Sequence, residues 1–141
     1  MQVQGRASRR HHLDLTGVTI LIVEDDGDSR DVLRQMVECW GAEAPTAGDG
    51  FEAMERLAHE LPDLVLCDLL MPRMDGYELL KEMQQRPHLA RIPVVAVSAL
   101  GARDDLMRTF TAGFRGHLVK PIELRNVEAR LRTHFRHRPP H

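Results

Sequence analysis

The sequence of 141 residues has no long apolar run and only two cysteines. No stretch approaches the roughly 18 consecutive apolar residues that a membrane-spanning helix requires, so we expect no membrane segment. The N-terminus is basic and polar and has no apolar signal core, which favours a cytoplasmic protein over an exported one. Because Cys39 and Cys67 both lie in apolar runs, we expect two buried free thiols rather than a disulfide.

The sequence also lacks a strong net charge and any zinc-like spacing. The formal net charge is -2, which gives no general attraction to nucleic acid, and no pair among the eight histidines has the spacing of a zinc site. The length predicts one domain with one core, which we place at residues 16–136. Residues 1–15 are expected to form a disordered basic tail, with a contact arm for an acidic partner as the alternative. Residues 137–141 are expected to form a C-terminal tail.

Short apolar segments alternate with segments of helical periodicity along the whole chain. The apolar segments predict strands at Val18–Val23, Ala42–Ala47, Asp63–Asp68, Ile92–Val97 and Gly116–Val119. The periodic segments predict five helices, which end near Gly41, Pro62, Gln85, Ala112 and Phe135. Short connections in such an alternation require parallel pairing and right-handed crossovers, so the fold class is α/β.

Three details of these helices are also predicted. Asp28 or Ser29 is expected to cap the first helix, although Asp26 is itself better suited to a cap than to a ligand role. Asp75 and Gly76 are expected to form a turn. The charged residues of the last helix predict a solvated face, with a partner surface as the alternative; they are Arg125, Glu128, Arg130 and Arg132.

Polar side chains follow four of the five predicted strands. Glu24 and Asp25 follow the first strand, Asp68 the third, Ser98 the fourth and Lys120 the fifth. The carboxyl ends of parallel strands lie at one edge of the sheet, where ligands bind. We therefore expect these side chains to share one pocket, although Glu24 and Asp25 alone would also fit a solvated, helix-capping turn.

The chemistry of this combination favours phosphoryl transfer. Crowded carboxylates repel each other unless a cation intervenes, and Mg²⁺ prefers a few carboxylates together with water and phosphate oxygens. Asp68 would then be ionised and able to attack phosphorus, which gives an aspartyl phosphate. Lys120 would neutralise charge on the transferred group, and Ser98 could donate a hydrogen bond to one of its oxygens.

Four segments resemble the receiver domain of two-component response regulators. They read Ile-Leu-Ile-Val-Glu-Asp-Asp at 20–26, Asp-Leu-Leu-Met-Pro-Arg-Met-Asp-Gly at 68–76, Val-Ala-Val-Ser-Ala at 95–99 and Leu-Val-Lys-Pro-Ile at 118–122. The resemblance implies a flavodoxin-like (βα)5 doubly wound five-stranded parallel sheet with strand order 2-1-3-4-5.

The resemblance also implies a role for each site residue. Asp68 would be the phosphoacceptor, Ser98 the switch hydroxyl and Lys120 the catalytic lysine. The implied ligands of Mg²⁺ are Glu24, Asp25, Asp68 and the backbone carbonyl of Leu70. Two positions depart from the family pattern: Leu70 is apolar where many relatives are polar, and His117 replaces a frequent Tyr or Phe. His117 is therefore only a candidate for the aromatic switch role.

The implied function is a phosphorelay switch rather than a turnover enzyme. A histidine kinase or a phosphotransfer domain would supply the phosphoryl group from a phosphohistidine. A surface formed by the fourth helix, the fifth strand and the fifth helix would then change its affinity for a downstream protein target. We expect no nucleic acid or membrane partner, and a monomer or weak homodimer.

Three alternatives stay open to different degrees. A Mg²⁺-dependent phosphohydrolase with an Asp nucleophile commonly uses Asp-x-Asp, and Leu70 at the third position argues against it. A non-phosphorylated binding module that keeps only the fold is disfavoured by the presence of Asp25, Asp68, Ser98 and Lys120. A receiver domain excised from a hybrid sensor histidine kinase is fully compatible with the sequence.

Overall fold

The chain forms a five-stranded parallel sheet covered by helices on both faces. The computed structural model describes residues 13–99 and 103–135, without the side chains of 103–105. The strands are β1 Ile20–Val23, β2 Thr46–Ala47, β3 Leu64–Asp68, β4 Val94–Ser98 and β5 Gly116–Val119. All neighbouring pairs are parallel and the order is β2-β1-β3-β4-β5. The predicted flavodoxin-like α/β fold with order 2-1-3-4-5 is confirmed.

Six helices lie in the described part of the chain, one more than predicted. They are α1 Gly27–Glu38, α2 Gly50–Leu57, α3 Gly76–Gln84, α4 Pro87–Ala90, α5 Arg103–Ala112 and α6 Leu124–Phe135. The extra helix is the single turn α4, so the helices predicted as fourth and fifth are α5 and α6. Among the described segments, none is a helix of the length and apolarity that crossing a membrane requires.

The three central strands are buried because each face of the sheet carries its own apolar layer. Along β1, Ile20 and Ile22 face one layer while Leu21 and Val23 face the other, as the two-residue repeat of a strand requires. The first layer contains Leu33, Val37, Val127 and Leu131 from α1 and α6. The second contains Ala53, Leu57, Leu79 and Met83 from α2 and α3. The central strands therefore hold their carboxyl ends rigidly at one edge.

Several predicted boundaries and inward-facing residues are wrong. Helix α2 ends at Leu57, so Leu61 lies beyond the helix and is exposed rather than buried. Val32 and Phe51 follow the apolar spacing of their helices in the sequence, which predicts that they face inward, but both are exposed. Cys39 is exposed, which corrects the prediction of two buried thiols, because this C-terminal cap residue of α1 lies off the face that buries Val37 and Trp40.

The packed part of the chain begins earlier than residue 16. Leu13 and Leu15 are buried, and the Leu15 N–H donates a hydrogen bond of 2.7 Å to the carbonyl of Trp40. The predicted tail therefore ends too late, because these two leucines extend the layer under α1. Residues 1–12 and the predicted C-terminal tail at 137–141 lie outside the described residues.

Asp26 and Asp75 cap two helices next to the strand ends, which confirms the expectation that Asp26 suits a cap. The Asp26 side chain caps α1 and accepts a hydrogen bond from the Ser29 N–H, so neither Asp28 nor Ser29 is the cap. Asp75 is the N-cap of α3 and forms a capping box with Glu78, which corrects its assignment as a simple turn residue. Both helices therefore start immediately beside the sheet edge that carries the polar residues.

Candidate functional site

The predicted acidic group assembles at the carboxyl ends of β1 and β3. These strands are neighbours, and Val23 pairs with Cys67, so Glu24 and Asp68 leave the sheet side by side. One carboxylate oxygen from each of Glu24, Asp25 and Asp68 lies within 4.8 Å of the others. Glu24 and Asp68 are buried while Asp25 is exposed, so the group is open to solvent on one side.

Lys120 is the cation that faces this acidic group. Its Nζ lies 2.9 Å from Glu24 Oε1 and 3.3 Å from Asp68 Oδ2. The backbone N–H of Lys120 donates to the Ser98 carbonyl at 2.8 Å, which ties the end of β5 to the end of β4. The Lys120–Pro121 peptide bond is cis. The ammonium group therefore bridges two of the three carboxylates.

The charges in the pocket change the pKa values of their neighbours. Burial, followed by hydrogen bonding to Asp68, raises the pKa of Glu24 and outweighs the opposing effect of Lys120. Burial lowers the pKa of Lys120, but its contacts with Glu24 and Asp68 outweigh burial and raise that pKa above its ordinary value. Glu24 and Asp68 thus share one ammonium group, and burial is the main cause of the raised pKa of Glu24.

Asp68 is held by the loop that follows β3. The Leu70 N–H donates a hydrogen bond of 3.2 Å to Asp68 Oδ1, while Oδ2 faces Lys120. The Leu70 side chain is 61% exposed at this position. A Cβ on Gly76 would lie 2.7 Å from the Asp68 carbonyl oxygen, so only glycine allows α3 to start this close to the strand. Cys67 points to the opposite layer, as predicted.

Ser98 and His117 lie on the strands next to Asp68. Asp68 pairs with Val97 of β4, and Ser98 ends that strand as a buried residue. His117 of β5 pairs with Ala96 and faces α5, where its Nδ1 is 3.3 Å from Thr109 Oγ1. The hydroxyl of Thr109 donates to the Leu106 carbonyl at 2.8 Å. The structure therefore places Ser98 at the pocket edge and His117 between the sheet and α5.

One residue at this edge was not singled out from the sequence. The Arg30 guanidinium donates a hydrogen bond of 3.0 Å to the backbone carbonyl of Glu24. Arg30 is six positions further along the chain, in the first part of α1. No sequence motif indicates this contact, because it depends on how α1 packs beside the end of β1. It fixes the turn that carries Glu24 and Asp25.

The donor set fits a hard divalent cation. Three carboxylates and one ammonium leave an excess of two negative charges, and all the side-chain donors are oxygens. Glu24 Oε1 is buried and has no hydrogen bond of good geometry, even with Lys120 Nζ at 2.9 Å. The group Glu24, Asp25 and Asp68 is therefore of the type that holds Mg²⁺, whereas the Leu70 carbonyl remains a prediction from the resemblance.

The fold and the site together define a class of protein, namely a signalling switch with an acidic pocket at the carboxyl ends of its strands. The profile of the response regulator receiver domain matches residues 20–132, so the chain belongs to this family. Such a domain is a switch in two-component signalling rather than a turnover enzyme.

Relatives and solved structures agree with this assignment. The chain is 38% identical over 109 residues to an "Uncharacterized 14.6 kDa protein in sodA1 3'region" of Leptolyngbya boryana, covering 77% of this chain and 83% of that protein. A putative response regulator from Chloroflexus aurantiacus superimposes with a TM-score of 0.80 at 32% identity, covering 84% of this chain and 98% of that one.

A further neighbour bears on the acidic pocket. The receiver domain of the sensor histidine kinase PA1611 from Pseudomonas aeruginosa PAO1 has a TM-score of 0.75 at 26% identity, covering 82% of this chain and 95% of that one. That structure has a magnesium ion coordinated in its active site cleft.

The chain spans only 45% to 53% of the length of three curated relatives named as transcriptional regulators.

Proposed function

We propose that this chain accepts a phosphoryl group on Asp68 from a phosphohistidine of a histidine kinase or a phosphotransfer domain. One observation supports the proposal above all others. The Asp68 carboxylate lies at the end of β3, within 4.8 Å of Glu24 and Asp25 oxygens and 3.3 Å from Lys120 Nζ. Receiver domains interact with histidine kinases, and this pocket supplies the nucleophile that such a partner requires.

The transfer follows from the contacts of Asp68. One carboxylate oxygen attacks phosphorus while the P–N bond to the donor histidine breaks, and the released imidazole nitrogen takes up a proton from solvent. Lys120 neutralises negative charge beside Oδ2, and the Leu70 N–H keeps Oδ1 in place. Mg²⁺ held by Glu24, Asp25, Asp68 and the Leu70 carbonyl would supply Lewis-acid stabilisation of the phosphoryl oxygens. In dephosphorylation, water attacks phosphorus while the bond between phosphorus and the Asp68 oxygen breaks, so that inorganic phosphate leaves, a proton is released to solvent and the Asp68 carboxylate is restored.

The same residues connect the pocket to a protein-binding surface. Ser98 would donate a hydrogen bond to a phosphoryl oxygen, which draws the end of β4 toward Asp68. Because β4 pairs with β5 and His117 of β5 contacts Thr109, this movement would reach α5. We propose Ser98 and His117 as the switch residues of one receiver domain, which starts near residue 13 and exists as a monomer or weak homodimer.

Intact mass spectrometry tests the proposal. The wild-type chain is incubated with Mg²⁺ and acetyl phosphate, beside Asp68→Asn and Asp26→Asn. Asp26 is the matched control because it lies next to the pocket but caps α1, and asparagine caps equally well. We expect one added phosphoryl group in the wild type and in Asp26→Asn, and none in Asp68→Asn. An unmodified wild type, or equal modification of Asp68→Asn, would refute the phosphoacceptor role.

A receiver that belongs to a hybrid sensor histidine kinase is the second candidate. The observation in its favour is the structural similarity to the receiver domain of the sensor histidine kinase PA1611 from Pseudomonas aeruginosa. This chain covers 95% of that receiver-domain chain. The chemistry at Asp68 would be identical in that case, and only the source of the phosphohistidine would differ. A faster transfer from a kinase within the same polypeptide than from separate kinases would favour this candidate.

A further inference from the structure

The loop between β3 and α3, at residues 69–75, contains one backbone position that suits an arginine poorly. Arg73 has a φ of 67°, in the left-handed region where residues other than glycine are uncommon. The Met74 N–H donates to the Pro72 carbonyl at 2.8 Å, so Arg73 is the central residue of a three-residue turn. A strained backbone position persists only where other contacts compensate for it. The side chain of Arg73 is therefore the place to look for such contacts.

The Arg73 side chain makes two contacts with the start of α2. Its Nη2 donates a hydrogen bond to Asp49 Oδ2 within an ion pair, and its guanidinium lies over the Phe51 ring, 5.6 Å from the centroid. Asp49 is itself held in place, because it caps α2 and accepts a hydrogen bond of 2.8 Å from the Glu52 N–H. Arg73 thus attaches the loop to the first turn of α2.

Met74 makes a second attachment beside the first. A Cβ added to Gly50 would lie 2.6 Å from Met74 Sδ, so this close packing depends on the absence of a side chain at Gly50. Met74 also packs against the apolar layer that contains residues of α2 and α3. Two consecutive residues of the loop, Arg73 and Met74, therefore dock on the start of α2.

These attachments join the loops on either side of the end of β1. Asp49 follows β2 and Arg73 follows β3, and in the order β2-β1-β3 the strand between them is β1. Glu24 follows β1, and its N–H donates to the Ala47 carbonyl of β2 at 3.0 Å. The contact between Arg73 and Asp49 therefore fixes the loop after β3 relative to the strand end that carries the acidic group.

We propose that Arg73 is a positioning residue for the binding of a divalent cation at the acidic group. By holding the loop against α2, it keeps Leu70 where its N–H meets Asp68 Oδ1 at 3.2 Å. The Leu70 carbonyl is the fourth metal ligand of the proposed function, so a looser loop lowers the affinity for Mg²⁺. The inference rests on the proposed function and adds to it a residue outside the predicted site.

Two other roles of Arg73 make different predictions. As a charge alone, Arg73 would repel Mg²⁺, so its removal would tighten metal binding. As a surface ion pair, with its arginine side chain 68% exposed, it would change the stability of the metal-free protein slightly and leave the affinity for Mg²⁺ unaltered. Only a positioning role predicts weaker binding of Mg²⁺ after the positive charge is removed.

Isothermal titration calorimetry of Mg²⁺ into the full chain tests the proposal. We expect Arg73→Gln to weaken Mg²⁺ binding about three- to fivefold, the range that the loss of an exposed ion pair allows. Asp49→Asn should weaken binding by a similar factor, because asparagine still caps α2 but carries no charge to pair with Arg73. The double variant should bind Mg²⁺ as weakly as either single variant, since both changes remove the same contact.

Arg86→Gln is the matched control. Arg86 pairs with Glu82 at 3.0 Å near the opposite end of α3 from this loop, so its variant should bind Mg²⁺ as the wild type does. Arg73→Gly keeps the test valid if Arg73→Gln fails to fold, since glycine adopts a φ of 67° without strain. Arg73→Gly should also bind Mg²⁺ more weakly than the wild type.

A second readout needs no metal. The loop position is reported by hydrogen exchange of the Leu70 amide, followed by NMR in the metal-free protein. We expect this amide to exchange faster in Arg73→Gln than in the wild type, because its hydrogen bond to Asp68 is held less firmly. The exchange rate in Arg86→Gln should be unchanged.

Several results would overturn the proposal. They are Mg²⁺ affinities of the Arg73 variants equal to or higher than that of the wild type, additive effects in the double variant, equal weakening in Arg86→Gln, and an unaltered exchange rate of the Leu70 amide in Arg73→Gln. Intact mass after incubation with acetyl phosphate separates the two levels of inference. If Asp68 is phosphorylated but Arg73→Gln matches the wild type in Mg²⁺ affinity, only the role of Arg73 is wrong; if Asp68 of the wild type stays unmodified, the proposed function fails.

Discussion

Glu24 is a buried carboxylate whose burial is only partly compensated by its contacts. It is 1% exposed, it shares Lys120 with Asp68, and burial followed by its contact with Asp68 raises its pKa. A carboxylate in this situation is held for function rather than for stability, because ionising it in the folded state is unfavourable. The neighbouring Asp25 is exposed.

We predict that Glu24→Gln stabilises the metal-free protein at neutral pH. The folded state holds the Glu24 proton more tightly than the unfolded state, because the pKa of Glu24 is raised on folding. Stability is therefore lost as the pH rises from the ordinary pKa of a glutamate through the raised pKa. Glutamine carries no such charge. The difference in free energy of unfolding between the variant and the wild type should therefore grow over that pH window and then level off.

Urea unfolding at several pH values measures this effect. Glu60→Gln is the control, because Glu60 is exposed and its replacement should change stability little at any pH. A Glu24→Gln variant that is less stable than the wild type at neutral pH, or whose advantage does not vary with pH, would contradict the assigned cause.

Leu70 gives a second prediction at the residue scale. Its side chain is 61% exposed beside Asp68, and its N–H donates to Asp68 Oδ1. An apolar side chain here cannot orient a water molecule toward phosphorus, whereas an amide can. We expect Leu70→Asn to shorten the lifetime of the aspartyl phosphate several-fold, as measured by intact mass over time. Leu61→Asn, at a similarly exposed leucine that precedes β3 and lies at the other end of that strand from Asp68, should leave the lifetime unchanged. An unaltered lifetime in Leu70→Asn would contradict the prediction.

At the scale of elements, strand cores were easier to predict than helix ends. The uninterrupted apolar runs of β1, β3 and β4 allow only a strand buried on both faces. Helix α4 is a single turn, too short to show a periodic pattern, and so it was missed. Asp26 and Asp28 are both suitable caps by composition, and only the path of the chain leaving β1 decides between them.

We predict that Asp75→Ala destabilises the fold by about 1 kcal/mol, because it removes the capping box of α3. Asp28→Ala should cost clearly less, since Asp28 lies inside the first turn of α1 rather than at its cap. Asp75→Asn keeps a capping side chain and serves as the control. The denaturant midpoints of unfolding compare the stability of the three variants. If Asp28→Ala lowers the free energy of unfolding as much as Asp75→Ala does, this assignment of the caps is wrong.

At the scale of the whole molecule, the acidic pocket was predictable from the sequence, whereas the position of Arg130 was not. Glu24, Asp25, Asp68 and Lys120 converge because parallel strands place their carboxyl ends at one edge, which the alternation of elements already implies. The sequence favoured a solvated face for Arg130. Its actual position over Gly116 depends on how α6 packs against β5, and periodicity along one helix carries no information about that contact.

The pocket also links metal binding to global stability. A ligand that binds only the folded state raises the free energy of unfolding in proportion to the logarithm of its concentration once binding is saturated. We therefore expect increasing Mg²⁺ to raise the melting temperature of the wild type progressively. Asp25→Asn should abolish most of this increase, because it removes one of three clustered carboxylates.

Asp26→Asn provides the control for this measurement. It removes an adjacent negative charge but keeps a side chain that caps α1, so the response to Mg²⁺ should persist. Thermal unfolding followed by circular dichroism, with Ca²⁺ and added monovalent salt as comparison conditions, separates site binding from general charge screening. If the Asp25 and Asp26 variants lose the Mg²⁺-dependent rise in melting temperature equally, Mg²⁺ acts only by charge screening. The assignment of the metal site would then be wrong.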